Sequence, residues 1–272
     1  MTDGKWINTP GAGGELLSNG DFGNWTAGLP NGWEYYNYLD GTRYVEQSGD
    51  GCRIIVLNAV LGLRQGITLP GKWYRVSVNV VSVASGSLVI YVSGNLIYNS
   101  PNTGLVLRTA RGIATTWFYA AFNSATSDVT IDNVSVRQIP LSDLLSLYIP
   151  TAPDVSFGAD LTVVSGTQAG LALNWDSSSS PANGVIAYID GDKVKLEKCV
   201  AGVWTTVITA PVTYSANARL SVSKTGTQYQ LHYNGAPVGS ANTISDVGIV
   251  NNTRHGLFST YEGNILDNCD LV

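Results

Sequence analysis

The sequence predicts an all-β fold built from two antiparallel β-sandwich (jelly-roll) domains. Three observations predict it. Apolar residues recur at period two, turn residues separate the short apolar runs, and the chain is poor in charge. Of 272 residues 13% are charged, against about 25% in an average chain, while 44% are hydrophobic and 30 are glycine. So much apolar residue excludes wholesale disorder.

The strands follow from the alternation. Tyr74, Val76, Val78 and Val80 alternate with Trp73, Arg75, Ser77 and Asn79. Leu88, Ile90 and Val92 alternate with Val89, Tyr91 and Ser93, and Phe118, Ala120 and Phe122 with Trp117, Tyr119 and Ala121. Successive strand residues point to opposite faces, so each run has one core face. Runs such as Leu171–Trp175, Val194–Lys198, Arg219–Ser223 and Tyr229–Tyr233 continue the habit in the second half. Ser85-Gly86, Ser93-Gly94-Asn95, Asp190-Gly191-Asp192 and Asn234-Gly235 supply the turns. Many short strands at this spacing read as sandwiches or jelly rolls.

The best break lies at 140–153, where Pro140, Pro150 and Pro153 bracket Leu141–Leu147. This stretch reads as a short helix capped by Ser142 or Asp143. Residues 1–139 carry 9 basic and 9 acidic side chains, and residues 140–272 carry 6 and 11. The expected organisation is an N-terminal arm (1–14), a jelly roll (15–139), a linker (140–153) and a second jelly roll (154–272). Both halves close on an apolar strand interrupted by an Asp-Asn pair, Asp132-Asn133 and Asp267-Asn268.

Several functions are disfavoured. A net charge of −5 lacks the basic footprint of a nucleic-acid binder. No apolar run approaches the roughly 20 residues of a membrane helix. Met1–Trp6 has no basic region followed by an apolar one, so the chain is expected to be made in a cytoplasm. Three cysteines, Cys52, Cys199 and Cys269, make no disulfide framework and read as buried thiols. An enzyme is not expected. His232 and His255 lie in no nucleophile or zinc motif, and no strand carries the alternating carboxylates a glycosidase needs. Asp190 and Asp192 alternate, but within an apparent hairpin turn.

Strand parity puts Trp73, beside Arg75 and Asn79, on a non-core face, and does the same for Tyr91, Trp117 and Tyr119. Exposed aromatic area on a polar face means contact with something. A glycan platform, a subunit interface and cover by a loop all fit. Aromatic faces suit sugars because the rings stack on the apolar side of the sugar while polar neighbours fix its hydroxyls. In the cluster Trp33–Tyr38, Trp33 is expected in the core and a tyrosine beside a loop site.

Residues 15–138 resemble the carbohydrate-binding modules of the family 4/9 type, among the galactose-binding-like jelly rolls. The residues carrying the resemblance are Leu16–Phe22, Pro30–Trp33, Trp73–Ser77 and Ile131–Ser135, with Asn133 where the family often has a second Asp. Residues 155–272 look like the laminin-G or concanavalin-like jelly rolls, through Ala169–Leu173, Tyr188–Gly191, Lys198–Trp204, His255–Phe258 and Leu266–Asn268. The pairing is similar to virion proteins of tailed bacteriophages. The first resemblance implies a structural calcium near the first and last strands, with Asp21 and Asp132 as ligands and Glu15 as a weaker one. Together they imply a non-enzymatic decoration, fibre or tail-adhesion protein of a virion that binds glycans and contacts other virion proteins. A purely structural virion protein and a secreted accessory of a glycoside hydrolase are the alternatives. The apolar residues Leu141, Leu144, Leu145 and Leu147 are expected either to be buried by packing between the two domains or, with the N-terminal arm, to serve a homo-oligomer or docking to the particle.

Overall fold

The computed structural model describes residue 11 and residues 13–37, 43–57, 61–123, 126–148 and 152–272. The chain divides into two units, residues 12–138 and residues 139–272, with Gly11 grouped in the latter. Both are antiparallel β-sandwiches, as the alternation predicts.

The first unit opens with a short ribbon, β1 (Trp25–Thr26) against β2 (Leu29–Pro30). There follow β3 (Glu34–Tyr36), β4 (Arg43–Ser48), β5 (Gly51–Val56), β6 (Leu61–Gln65) and β7 (Trp73–Ser85). Then come β8 (Leu88–Val92), β9 (Asn95–Ser100), β10 (Gly104–Arg111), β11 (Phe118–Asn123) and β12 (Ser127–Ile139). They form two five-stranded sheets, β10-β7-β12-β5-β4 and β3-β6-β11-β8-β9. Neighbours within a sheet are mostly distant in sequence, the Greek-key habit of a jelly roll.

The core between these sheets takes the residues of the expected parity. Tyr74, Val76, Val78 and Val80 of β7 are buried, and Leu61, Leu63, Leu88, Ile90, Val92, Phe118 and Ala120 close on them from the other sheet. Trp33 fills one end, as expected: its ring lies 5.3 Å from Phe22 and 6.3 Å from Phe118, and its Nε1–H donates to the Asn19 carbonyl (3.0 Å). Burying an indole removes a large apolar area from water, and the one hydrogen bond satisfies its donor.

The second unit begins with α1 (Leu141–Leu144) and β13 (Leu145–Tyr148). Next are β14 (Val155–Thr162), β15 (Gln168–Trp175), β16 (Gly184–Asp190), β17 (Lys193–Val200), β18 (Val203–Pro211) and β19 (Ala218–Thr225). The chain ends with β20 (Gln228–Tyr233), β21 (Ala236–Thr243), β22 (Arg254–Ser259) and β23 (Ile265–Leu271). Sheets β13-β22-β15-β16-β17-β18 and β21-β20-β19-β14-β23 face each other. Every residue of β15 is buried, so that strand is covered on both faces.

Four expectations are corrected here. The stretch 140–153 is not a plain linker, because β13 pairs with β22 (Leu145 opposite Phe258) and extends the six-stranded sheet. Its helical turn is capped by Pro140 with no side-chain bond, not by Ser142 or Asp143. Leu144 and Leu145 are buried within the chain itself, and Leu141 and Leu147 are half-buried, so most of the apolar surface expected at a subunit contact is already used. Residues 1–10 of the N-terminal arm lie outside the described residues. Cys52 and Cys199 are buried as expected, but Cys269 is exposed, on the edge strand β23.

The two closing strands do share a device. Asn133 and Asn268 both take positive φ, 49° and 45°. In each pair the preceding Asp accepts the asparagine backbone N–H, at 2.6 Å in Asp132 and 2.9 Å in Asp267. Asparagine tolerates this left-handed backbone better than other side chains, and the local bond holds it.

Candidate functional site: an aromatic row across one sheet

The outward face of β3-β6-β11-β8-β9 carries the largest half-exposed aromatic surface that the expected site residues form. Cross-strand register sets it. Glu34 pairs with Arg64, Arg64 with Tyr119, Tyr119 with Tyr91, and Tyr91 with Leu96. These five residues form one row across all five strands, roughly 19 Å at the usual strand spacing. Parity puts Arg64, Tyr119 and Tyr91 outward, because their chain neighbours Leu63, Phe118, Ala120, Ile90 and Val92 fill the core, and a register shift in β9 brings Leu96 opposite Tyr91.

The rings hold one another edge to face. Tyr119 meets Tyr91 at 6.5 Å and 80°, and meets Tyr36 at 5.8 Å and 85°. Such pairs are worth about 0.5–1.5 kcal/mol beyond the area they bury. The Arg64 guanidinium lies 3.8 Å above the Trp117 ring and 5.6 Å from that of Tyr36. Its Nη2 also reaches the Glu34 carboxylate at 3.4 Å. Trp117 can lie flat here because residue 66 is glycine. A Cβ at Gly66 would stand 3.3 Å from the indole, closer than it tolerates without shifting.

The result is a strip of tyrosine, tryptophan and leucine with one guanidinium and one carboxylate fixed within it. Tyr36, Tyr91, Trp117 and Tyr119 are all half-buried, and Leu96 is 49% exposed. Rings in this state offer a flat apolar face and a polar rim, the surface that stacks on a sugar while hydroxyls and charges bond its edges. The row holds a single carboxylate, Glu34, already engaged by Arg64. Acid and nucleophile or acid and base chemistry on a glycosidic bond needs two.

The structure separates the six expected binding residues into two groups. Tyr91, Trp117 and Tyr119 come together as described. Trp73, Arg75 and Asn79 lie on β7, in the other sheet of the sandwich. Trp73 is on the non-core face, as parity says, but it is only 3% exposed, so its expected exposure is corrected. The Arg111 guanidinium stands 5.8 Å from its ring. Arg75 lines a shallow groove of about 350 Å³ with Ser77, Leu107, Ser135 and Arg137. Asn79 is half-buried, opposite Leu105. Sequence reasoning missed Glu34, Arg64 and Leu96. The signal for Arg64 was present, since Leu61 and Leu63 alternate with Gly62, Arg64 and Gly66, but two glycines disguised the outward face.

The expected calcium ligands do not fit a metal. The Glu15 carboxylate is filled by donors: the backbone N–H groups of Leu16, Leu17 and Val136 and the Ser135 hydroxyl, with Arg137 at 3.4 Å. These bonds outweigh burial and hold its pKa below the usual carboxylate value. Asp132 is engaged by the backbone and side chain of Asn133. Asp21 is exposed and accepts a long bond from the Gly23 N–H (3.4 Å). Among the described residues no three metal-ligating side chains come together.

In the second unit Asp190 forms part of a hairpin, bonded to Lys195 (2.6 Å), and Gly191 turns the chain at φ 62°. Trp175 is buried and packs 6.1 Å from Trp204, as expected of packing residues. His255 is buried. Its Nδ1 accepts the Asn174 N–H (3.4 Å) and its Nε2 meets the Ala152 carbonyl (3.2 Å). Burial pushes its pKa down to about 4.

No family model matches this chain, and no curated protein matches it. Among solved structures it is similar to the carbohydrate binding module CBM66 from Bacillus subtilis. The identity is 17% over 46% of this chain and 76% of that one, with a TM-score of 0.38. It is also similar to sheep galectin-11 in complex with glycerol (10% identity, 47% of this chain, 95% of that one, TM-score 0.36). Caenorhabditis elegans galectin LEC-6 matches at 11% identity, over 47% of this chain and 89% of that one, with a TM-score of 0.36.

Proposed function

We propose that this chain binds glycans on the outward face of β3-β6-β11-β8-β9 and performs no chemistry on them. The observation that carries the reading is the row Glu34–Arg64–Tyr119–Tyr91–Leu96, flanked by Tyr36 and Trp117. It aligns half-exposed rings with fixed polar groups along one line, which suits an extended chain of sugar rings rather than a compact ligand. A shallow strip of this kind binds weakly, and affinity comes from many copies acting together. Display on a bacteriophage particle, as decoration, fibre or tail-adhesion protein, supplies those copies. This part of the reading is supported by the pairing of two sandwich units in one chain. A secreted accessory of a hydrolase would use the same row.

A glycan array probed with the wild type, Tyr119→Ala and Trp117→Ala tests the binding. Signal on one or more polysaccharides that is lost in both variants supports it. An array blank for the wild type refutes it in favour of a purely structural protein.

A further inference from the structure

The two sheets of the first unit end, on one side of the sandwich, in the edge strands β9 and β10. Between them lies a cavity of about 360 Å³, within the range of small-molecule sites. Tyr98, Asn99, Ser100, Asn102, Thr103 and Arg108 supply its polar lining, and no acidic side chain lines it. Arg108 has the parity of the core residues Val106 and Ala110, opposite Val76, so it points inward between the sheets. It is half-buried. Its contacts are the Tyr98 ring, 4.9 Å from Cζ, and the carbonyl of Leu107, 2.7 Å from Nη1. Among the described residues it meets no carboxylate.

A guanidinium withdrawn from water without a counter-charge is costly. Burial accordingly lowers its pKa, against a smaller opposing effect of Tyr98. The groups around it are donors or neutral. The Tyr98 hydroxyl and the Asn102 amide are neutral, and Asn102 is exposed on the loop joining the two strands. We propose that this seam is a second binding site, and that it takes the anionic group of an acidic sugar, a carboxylate or a sulfate, on Arg108 with the Asn102 amide at its mouth. The sugar ring then rests in the donor-rich cavity and the anion forms a charge-assisted pair with the guanidinium. The aromatic row ends on Leu96 of the same strand β9, so a glycan leaving the row passes the mouth of the seam. That continuity rests on the proposed function; the seam site itself does not.

The test is titration of the full chain at low ionic strength with glucuronate, glucose 6-sulfate, glucose and inorganic sulfate, followed by NMR. One or both sugar acids are expected to bind and to shift the Tyr98, Asn102 and Arg108 signals, more tightly than glucose or sulfate ion. Which acid binds identifies the anion. Arg108→Gln should weaken that binding at least about tenfold and Asn102→Ala less, while Tyr119→Ala leaves it unchanged. Loss of polysaccharide binding in Tyr119→Ala with the sugar acid still bound separates the two sites. The proposal is overturned if neither acid binds the wild type, if inorganic sulfate binds as tightly as the sugar acids, or if Arg108→Gln binds as well as the wild type. Should Arg108→Gln fail to fold, the wild-type shifts and Asn102→Ala still decide. Arg108 would then be no more than an inward charge that keeps two edge strands from pairing with other chains.

Discussion

The two outward faces of the first sandwich are built from the same alternation and end up different. On β3-β6-β11-β8-β9, four rings and a guanidinium meet in one half-exposed strip. On β10-β7-β12-β5-β4, the one large aromatic of the expected site, Trp73, is covered, while Arg75 lines a shallow groove and Asn79 is half-buried. Parity gives the face a side chain points to. It does not give the neighbours, which come from strand order and register, nor whether something else covers the face.

The largest expected contrast tests that difference directly. Trp73→Ala should cost about 3–5 kcal/mol of stability, as for a buried tryptophan, with the affinity of the folded protein for its glycan unchanged. Tyr119→Ala should do the reverse. It removes the centre of the row and lowers affinity at least about tenfold, while the melting temperature falls less than in Trp73→Ala, because the ring is half-exposed and its two edge-to-face pairs are together worth about 1–3 kcal/mol. Denaturant unfolding and calorimetric titration on both variants measure the two quantities. Equal loss of affinity in both would break the distinction between the faces.

A second substitution acts on one ring through the backbone. Gly66→Val places carbon against the Trp117 indole and should tilt it off Arg64. Affinity should fall severalfold, with a change in tryptophan fluorescence. Arg64→Met keeps the stem but loses the cation over the ring, an effect of about 0.5–1 kcal/mol at a partly exposed site. An unaltered affinity in Arg64→Met would leave the rings as the whole of the site.

Acid should distinguish the two units. His232 and His255 both lie in the second unit. His255 is neutral in the fold, with its pKa near 4, while in the unfolded chain it takes up a proton near 6.5. The stability this contributes is present above about pH 6.5 and is lost as the pH falls towards 4. The second unit should therefore melt progressively earlier over that window, and His255→Gln should flatten the dependence. The first unit has no histidine. The smallest effect is that of Asn133→Gly, which should cost close to nothing, against about 1 kcal/mol for Asn133→Ala at the same left-handed backbone.

Much of this architecture was legible in the sequence. The faces of β7, β8 and β11, the core role of Trp33 and the paired Asp-Asn endings all depend on local pattern, which a single chain displays. The row was not legible. It depends on Glu34 reaching Arg64 and Arg64 reaching Tyr119, pairings between strands far apart in the chain. The seam was hidden for the same reason, since Arg108 reads as an ordinary strand charge until β9 is placed opposite it. Glu15 misled because a carboxylate that binds backbone N–H groups and one that binds a cation look alike in sequence.

Hydrogen exchange with and without a polysaccharide selected from the array tests the central claim most directly. Bound glycan should slow exchange at residues 34–36, 61–66, 89–96 and 117–119, and leave β7, β12 and the second unit as they were. Protection centred instead on β7 and β12, or confined to the second unit, would contradict the assignment of the site to the aromatic row.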